Sequence, residues 1–253
     1  MFPALKLPPV LPAPEAGWAA PGPGECHLWL VPVRRRPGWL DVLNPEERQR
    51  ASRLARMPAG DVFVTSRATQ RLVGSRYLGV APSDVITDRD CAHCDNPGAH
   101  HGRPRFRGAS IEYSVSHTEK WLLMAVTGHG LVGADIEDFT TISDPGGLAG
   151  ATLTPREKRL FDGLSAPQRT SWVLSAWTRK EAAMKLTGLG LQAPPNLLDV
   201  SLPTVSVAAI PQWPTTPVHL YTLAAPTTPS AHVAALATDT PLVALYRYAL
   251  PDL

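Results

Sequence analysis

The sequence predicts a mixed α/β fold in which the order of elements repeats once. Runs with alternating apolar residues, typical of strands, are interspersed with segments that carry helix-start signals. Two of those starts, Asn44-Pro45-Glu46-Glu47 and Thr154-Pro155-Arg156-Glu157, share one pattern: a capping residue, proline at the first helical position, and glutamate three residues after the cap. Each precedes a longer helical segment and then strands. No short fixed period occurs, so the fold is not a solenoid.

Composition and length define the class of protein and its predicted boundaries. Of the 253 residues 44% are apolar and 18% charged, and no apolar run is long enough to cross a membrane. The 27 prolines are concentrated near the N-terminus and after Leu191, where we expect loops and short edge strands. We predict an irregular proline-rich lead-in over residues 1–25, an N-terminal α/β half over 26–128 and a C-terminal α/β half over 129–253.

The net charge and the cysteine content indicate which ligands and which cellular compartment to expect. A net charge of +2 does not favour nucleic-acid binding. Three cysteines, Cys26, Cys91 and Cys94, do not make a disulfide framework, and the N-terminal residues make a poor signal peptide. We therefore predict a cytoplasmic protein that binds neither nucleic acid nor membrane.

The N-terminal half is predicted to open with one strand and two helices. The run at residues 26–31 predicts the strand. The cap at Asn44 begins a helix that stops near Pro58. A longer helix is predicted over about residues 61–77, ended by Gly79.

A strand that carries serines and a histidine comes next. Residues 111–117 alternate, so Tyr113 faces the core while Ser114 and Ser116 face away from it. His117 lies at the strand end, where it has three possible roles: a capped loop residue, an acid or base, or a phosphate ligand.

Two further strands are predicted to form a hairpin. Residues 121–126 are continuously apolar, which predicts a strand buried on both faces. A glycine-containing turn leads to a strand over 131–137, which we expect to pair with its predecessor. On that second strand Asp135 and Glu137 are two apart, so both carboxylates share one face.

The remainder is predicted to contain helices and then short strands. We expect a loop over residues 144–150, a helix from Pro155 to about Leu164, and another from Pro167 to Gly188 or Gly190. Short β-like runs follow, which the interspersed prolines would make edges and hairpins of a sheet: 198–202, 205–210, 218–223, 232–236 and 242–248.

The last long helix brings a second set of charges to the predicted strand carboxylates. Trp177, Glu181 and Lys185 are four apart and share a helix face. Together with Asp135 and Glu137 they make three carboxylates and a lysine, a set that suits Mg²⁺ and a polyphosphate. The alternative is a solvated strand end and a surface Glu–Lys pair, but the combination favours the functional interpretation.

A cysteine-containing loop offers a different function. Cys91 and Cys94 are followed by His100 and His101, residue types that bind zinc. The second C-x-x-C or spaced histidine pair that makes a zinc site specific is missing, so we expect a loop with two reduced thiols rather than zinc. The competing function is a zinc-knuckle interaction module without catalysis.

Five motifs occur in order along the chain. They are Asn44-Pro45-Glu46-Glu47-Arg48, Gly102-Arg103-Pro104, Ser114-Val115-Ser116-His117, Val132-Gly133-Ala134-Asp135-Ile136-Glu137, and Trp177-Thr178-Arg179-Lys180-Glu181-Ala182-Ala183-Met184-Lys185. In these motifs the chain resembles the Sfp-type 4′-phosphopantetheinyl transferases. The last two motifs are typical of the whole superfamily, while the serine-histidine strand and the Gly-Arg-Pro loop single out the Sfp type. The match covers roughly residues 43–191.

The resemblance implies a fold and a reaction. Two similar α/β halves would be related by a pseudo-two-fold axis, with coenzyme A bound in the cleft between them. The enzyme, a monomer, would transfer the 4′-phosphopantetheine arm of coenzyme A to a serine of an apo acyl, peptidyl or polyketide carrier protein, releasing 3′,5′-ADP. Such enzymes serve polyketide, nonribosomal peptide and fatty-acid synthesis.

The resemblance also implies roles for individual residues. Asp135, Glu137 and Glu181 would hold Mg²⁺, or Mn²⁺ in its place. Glu181 would be the general base, directly or through a metal-bound water. Lys185 and His117 would contact the coenzyme A phosphates.

The resemblance is less definite for the nucleotide end of coenzyme A. Ser116 and Arg103 would lie near it. The chain has Asp61-Val62-Phe63 where the family often carries basic residues for the 3′-phosphate. That leaves Arg50, Arg67 and Arg103 as candidate ligands.

Overall fold

The computed structural model describes residues 7–13, 19–90, 102–207, 209–223 and 227–250. The predicted zinc ligands Cys91, Cys94, His100 and His101 lie outside these residues. The helices are α1 Pro45–Leu54, α2 Pro58–Leu78, α3 Pro145–Thr152, α4 Pro155–Asp162 and α5 Ala166–Thr187. The strands are β1 Val10–Pro12, β2 Glu25–Pro32, β3 Thr87–Asp90, β4 Arg103–Phe106, β5 Glu112–His117, β6 Trp121–Thr127, β7 Val132–Asp138, β8 Leu198–Asp199, β9 Ser206–Val207, β10 His219–Leu223, β11 His232–Thr238 and β12 Ala244–Tyr248. The predicted mixed α/β class is confirmed, and the pseudo-two-fold relation stays a prediction.

The larger sheet has the strand order β1-β12-β2-β6-β5. β12 runs parallel to both β1 and β2, whereas β2, β6 and β5 pair antiparallel. β6 is buried along almost its whole length, as its apolar sequence predicts. Two expectations were wrong: β1 lies in the segment predicted to be irregular, and β12 is a central strand rather than an edge. Both strands are short and hold their place through long-range pairing, which local sequence does not reveal.

A second, three-stranded sheet has the order β10-β11-β7. The predicted hairpin between β6 and β7 is therefore wrong. β6 is already paired with β2 and β5, so β7 turns away and pairs antiparallel with β11 instead. Side chains connect the two sheets: the Ser114 hydroxyl of β5 accepts a hydrogen bond from the Ala134 amide of β7 at 2.9 Å. Ser114 thus faces a buried contact between the sheets.

Helices α1 and α2 cover the larger sheet. The predicted capping box of α1 is present, with Asn44 and Glu47 bonded to each other's backbone amides. α2 begins at Pro58 rather than near residue 61, because Met57 provides an extended residue before a proline suited to the first helical position. Gly79 ends it in the left-handed conformation at φ 68°, as predicted.

Helices α3, α4 and α5 cover the smaller sheet. The loop predicted over residues 144–150 is instead the start of α3, which Asp144 caps by accepting from the Gly147 amide. Its glycines favour a loop, but burial of Ala149 stabilises the helix. The capping box of α4 is confirmed, and α5 ends at Gly188 as one of the two predicted stops. After α5, β8 and β9 are each shorter than the predicted runs.

A shared arrangement connects each capping box to the helix that follows it. Glu47 of α1 accepts from Arg71 of α2, and Glu157 of α4 accepts from Lys180 of α5, each at 2.5 Å. Each cation also donates to backbone carbonyls of the segment after its own helix. Arg71 reaches those of Pro82, Ser83 and Val85, and Lys180 those of Pro195 and Leu198. The arrangement fixes each long helix against its neighbours.

Among the described residues, none of the helices combines the length and the apolar character that crossing a bilayer requires.

Candidate active site

A cleft of about 910 Å³ is lined by residues of helices α1, α2 and α5 and of strands β3, β4, β5 and β7. Most of the predicted site residues line it: Arg50, Arg67, Arg103, His117, Glu137, Glu181 and Lys185. Ser116 and Asp135 lie behind this lining, where both are buried. Residues from six elements that are distant in sequence therefore converge on one cavity, of the size that small-molecule sites commonly have.

The carboxylate wall of the cleft, Glu137 on β7 and Glu181 on α5, depends on a close approach of these two elements. Gly133 of β7 makes this approach possible, because a Cβ there would overlap the carbonyl oxygen of Ala182 and lie 2.6 Å from the Leu186 amide nitrogen. The predicted common face of β7 therefore packs directly against α5. The Trp177 indole, on the same helix face as Glu181, donates to Glu137 Oε1 at 3.2 Å.

Among the described residues, the Asp135 carboxylate is hydrogen-bonded through one of its two oxygens. Its Oδ1 accepts from the Ser116 hydroxyl at 2.7 Å and from the Lys185 ammonium at 2.6 Å. Its Oδ2 is buried and has no hydrogen-bond partner among the described residues. A buried carboxylate oxygen without a partner is costly unless a cation or ordered water occupies the space in front of it.

Burial and the charge of Asp135 change the pKa of the two neighbouring carboxylates, Glu137 and Glu181. Burial and, next, the charge of Asp135 raise the pKa of Glu137 to about 7, against the opposing effects of Trp177 and Lys185. Burial and the Asp135 charge also raise the pKa of Glu181, again opposed by Lys185. Three carboxylates thus repel one another in a partly dry site, an arrangement that a divalent cation would stabilise.

The donor set fits Mg²⁺, although it does not form a closed cage. In the described part of the chain, no three His, Cys, Asp or Glu side chains are arranged to hold a metal ion as they stand. Lys185 already bonds to one oxygen of Asp135, Oδ1, at 2.6 Å. Mg²⁺ typically binds through one or two carboxylates and completes its shell with water and substrate phosphates, so a closed protein cage is not required.

His117 and Lys185 place nitrogen donors beside the carboxylates. Desolvation within the cleft and the nearby Lys185 charge lower the pKa of His117, although its side chain keeps an exposed face. A neutral imidazole beside an ammonium group can donate to phosphate oxygens without adding a second full charge.

The arginine wall of the cleft, Arg50, Arg67, Arg89 and Arg103, comes from α1, α2, β3 and β4. The guanidinium groups of Arg50 and Arg67 lie 5.0 Å and 5.8 Å from the centre of the Phe63 ring. Arg67 also lies 3.8 Å from Glu47. Phe63 therefore supports two arginines of the cleft through cation–π contacts.

Arg89 is a cleft residue that sequence reasoning missed. It lies on β3 beside β4, where it pairs in register with Pro104 and donates to the Gly102 carbonyl at 3.1 Å. Residues 87–90 are all polar, so no alternation of apolar residues in the sequence indicated a strand there. Arg103 itself donates to the Leu186 carbonyl at 3.4 Å, which brings it to the C-terminal end of α5.

The walls together define a site for a polyanionic substrate in a mixed α/β protein. A sequence model of the 4′-phosphopantetheinyl transferase superfamily matches residues 131–237, which include β7 and α5. The 4′-phosphopantetheinyl transferase HetI of Nostoc sp. (strain PCC 7120) is 30% identical over 175 residues, or 66% of this chain and 70% of that protein. A protein of Synechocystis sp. (strain PCC 6803), named "Putative 4'-phosphopantetheinyl transferase slr0495", is 26% identical over 172 residues, 66% of either chain.

The chain belongs to the 4′-phosphopantetheinyl transferase superfamily and is an enzyme of that activity. The predicted resemblance is thereby confirmed.

Proposed function

We propose that the enzyme transfers the 4′-phosphopantetheine arm of coenzyme A to a serine hydroxyl of an apo carrier protein and releases 3′,5′-ADP. The observation that carries this proposal is the convergence of the carboxylate wall, Lys185, His117 and the arginine wall on one cleft. Its chemistry complements a molecule with a phosphorylated nucleotide at one end and a diphosphate next to the arm.

The proposed reaction is attack of the serine oxygen on the phosphorus that bears the arm. A new P–O bond forms to serine, the P–O bond to 3′,5′-ADP breaks, and the leaving group departs with the bonding electrons. The Lys185 ammonium group neutralises charge on the phosphoryl oxygens, and His117 donates a hydrogen bond to them. Glu181 is the proposed general base that takes the serine proton, directly or through water.

Asp135, Glu137 and Glu181 are the proposed residues for Mg²⁺, with Mn²⁺ as a substitute. Support comes from the unpartnered Asp135 Oδ2 and the raised pKa of the other two carboxylates. When bound, the metal ion would supply positive charge to the diphosphate.

The nucleotide end of coenzyme A is proposed to lie along the arginine wall. Arg50, Arg67 and Arg103 are candidates for the 3′-phosphate, and the position of Arg89 adds a fourth. Ser116 does not line the cleft, so its proposed contact with this end of the substrate has less structural support than that of the arginines.

The wider organisation remains part of the proposal. We take residues 26–128 and 129–253 as two halves related by a pseudo-two-fold axis, after a lead-in of residues 1–25. The repeated link from capping box to long helix supports this relation. We further propose a cytoplasmic monomer that serves acyl, peptidyl or polyketide carriers, with a role in polyketide or nonribosomal peptide synthesis.

A loading assay tests the proposal. The protein is incubated with coenzyme A, Mg²⁺ and a panel of apo carrier domains, and intact mass reports the added arm on the carrier serine. We expect loading of at least one carrier and none by Glu181→Gln. Glu46→Gln, at an exposed position in the first turn of α1, is the matched control and should load normally.

Two results would contradict this proposal. Turnover near wild type by Glu181→Gln would remove the base role. Tight zinc binding without transfer to any carrier would instead support the interaction module based on Cys91 and Cys94.

A further inference from the structure

We infer that Ser116 is a positioning residue that acts through Asp135 and does not contact coenzyme A. The inference rests on the proposed metal role of Asp135. Ser116 is buried, is absent from the cleft lining, and donates its hydroxyl to Asp135 Oδ1 at 2.7 Å. A hydroxyl has one proton to donate, and here it is used within the protein.

The position of Ser116 follows from how the two sheets meet. In the described ranges no backbone ladder joins β5 to β7. Side chains two apart on β5 make the connection: Ser114 accepts from the amide of Ala134, and Ser116 donates to the side chain of Asp135. Consecutive residues of β7 are thereby tied to one face of β5, which fixes where the Asp135 carboxylate lies.

The two carboxylate oxygens of Asp135 therefore have different roles. Ser116 and Lys185 both occupy Oδ1, which leaves Oδ2 as the oxygen for a cation. Lys185 lines the cleft and is itself a proposed phosphate ligand, so its bond to Asp135 is exchangeable. Ser116 is buried behind the wall and keeps Oδ1 in place when Lys185 turns to substrate. Hydrogen bonds of this kind orient metal ligands, and their loss typically lowers metal affinity about 10- to 100-fold.

Metal and coenzyme A binding, measured separately, test the inference. Mn²⁺ binding without coenzyme A is followed by the electron paramagnetic resonance signal of the free ion, and coenzyme A binding is measured by calorimetry in EDTA. For Ser116→Ala we expect Mn²⁺ affinity to fall at least tenfold. Its coenzyme A affinity in EDTA should stay within about twofold of wild type, because the serine makes no substrate contact.

Ser201→Ala is the matched control. Ser201 is also buried and donates its hydroxyl to an aspartate, Asp199 Oδ1, at 2.5 Å, but neither residue lines the cleft. This variant loses the same kind of bond and should keep the Mn²⁺ affinity of wild type. Urea denaturation of both variants verifies that each is folded.

Three outcomes would overturn the inference, and they are distinguishable. Weaker coenzyme A binding in EDTA with unchanged Mn²⁺ affinity would make Ser116 a substrate contact. Equal loss of Mn²⁺ affinity in both serine variants would make the effect a general one of stability. Failure of the wild-type protein to bind Mn²⁺ would refute the proposed metal site and, with it, this role of Ser116.

Discussion

The two helix pairs, α1–α2 and α4–α5, share the same set of contacts, which is buried to different degrees. In each, the capping-box glutamate bonds a cation on the next long helix, and the cation bonds backbone carbonyls beyond that helix. In the α4–α5 pair the side chains of Glu157 and Lys180 are fully buried. In the α1–α2 pair the Glu47 side chain keeps 13% exposure and also faces Arg67 of the cleft.

The difference indicates what each pair does for the site. Lys180 directly precedes Glu181, so its buried ion pair with Glu157 holds this part of α5, and with it the proposed metal ligand Glu181, in place. Glu47 instead divides its charge between a structural arginine, Arg71, and the cleft arginine Arg67. One pair holds the helix that carries a proposed metal ligand, and the other contacts an arginine proposed to hold the substrate.

The largest expected effect is a loss of stability when a glycine at the packing surface of a long helix is replaced by alanine. Gly133→Ala should destabilise the protein by about 4 kcal/mol or more, because the new methyl group meets the backbone of α5. Gly74→Ala in α2 should cost less, about 1–3 kcal/mol, because its nearest atoms are side-chain atoms of Phe106 and Val85 rather than backbone atoms. Urea denaturation followed by circular dichroism measures both. Equal losses would mean that the two helices are held equally tightly.

The next largest effect is a difference in stability loss when each of the two ion pairs is broken. Lys180→Met leaves Glu157 charged in a fully buried place and should cost about 3–5 kcal/mol. Arg71→Met should cost less, about 2–3 kcal/mol, since Glu47 reaches solvent and retains Arg67 nearby. Denaturation midpoints at neutral pH give the comparison. As a control, Glu157→Gln added to Lys180→Met should recover part of the loss, and a larger loss for Arg71→Met would reverse the ranking.

The smallest expected effect is a pH dependence of the free energy of unfolding that comes from a buried histidine of the larger sheet. His27 of β2 is buried between Tyr77 and Tyr248, and burial lowers its pKa to about 4, with Glu25 opposing. Because the unfolded chain takes up a proton near pH 6.5 and the folded protein does not, stability from this residue is full above that pH. It should decline by roughly 2 kcal/mol as pH falls towards 4.

His27→Gln provides the comparison for this pH effect. The variant lacks the titrating ring, so its unfolding free energy should vary less between pH 6.5 and 4 than that of the wild type. Urea denaturation at several pH values measures the slope. Identical slopes for the two proteins would show that His27 does not carry the effect.

The carboxylate wall was predictable from the sequence because its residues lie on regular elements. Period two places Asp135 and Glu137 on one strand face, and period four places Glu181 and Lys185 on one helix face. The starts of α1 and α4 were equally clear, since each has a capping box, which is a local pattern. The contact between β7 and α5 was not predictable in the same way. Gly133 indicates that another element packs closely against β7, but it does not indicate which one.

The arginine wall was less predictable because its residues converge from four elements. Arg50 and Arg67 could be named from the resemblance, but Arg89 required the pairing of β3 with β4. The buried bond of Ser116 to Asp135 was missed for the same reason, since alternation placed that serine on an outer face. The pairing of β7 with β11 also depends on residues about one hundred positions apart, which no local pattern encodes.

The place of β12 has a consequence for how the protein folds during synthesis. Residues 244–248 lie between β1 and β2 and hold both by parallel pairing. The larger sheet therefore stays incomplete until the ribosome has made nearly the whole described chain, whereas β7, α5, β10 and β11 are already available to pack together. Such late, long-range pairing is slow, and it leaves the open edge of β2 exposed to wrong partners in the meantime.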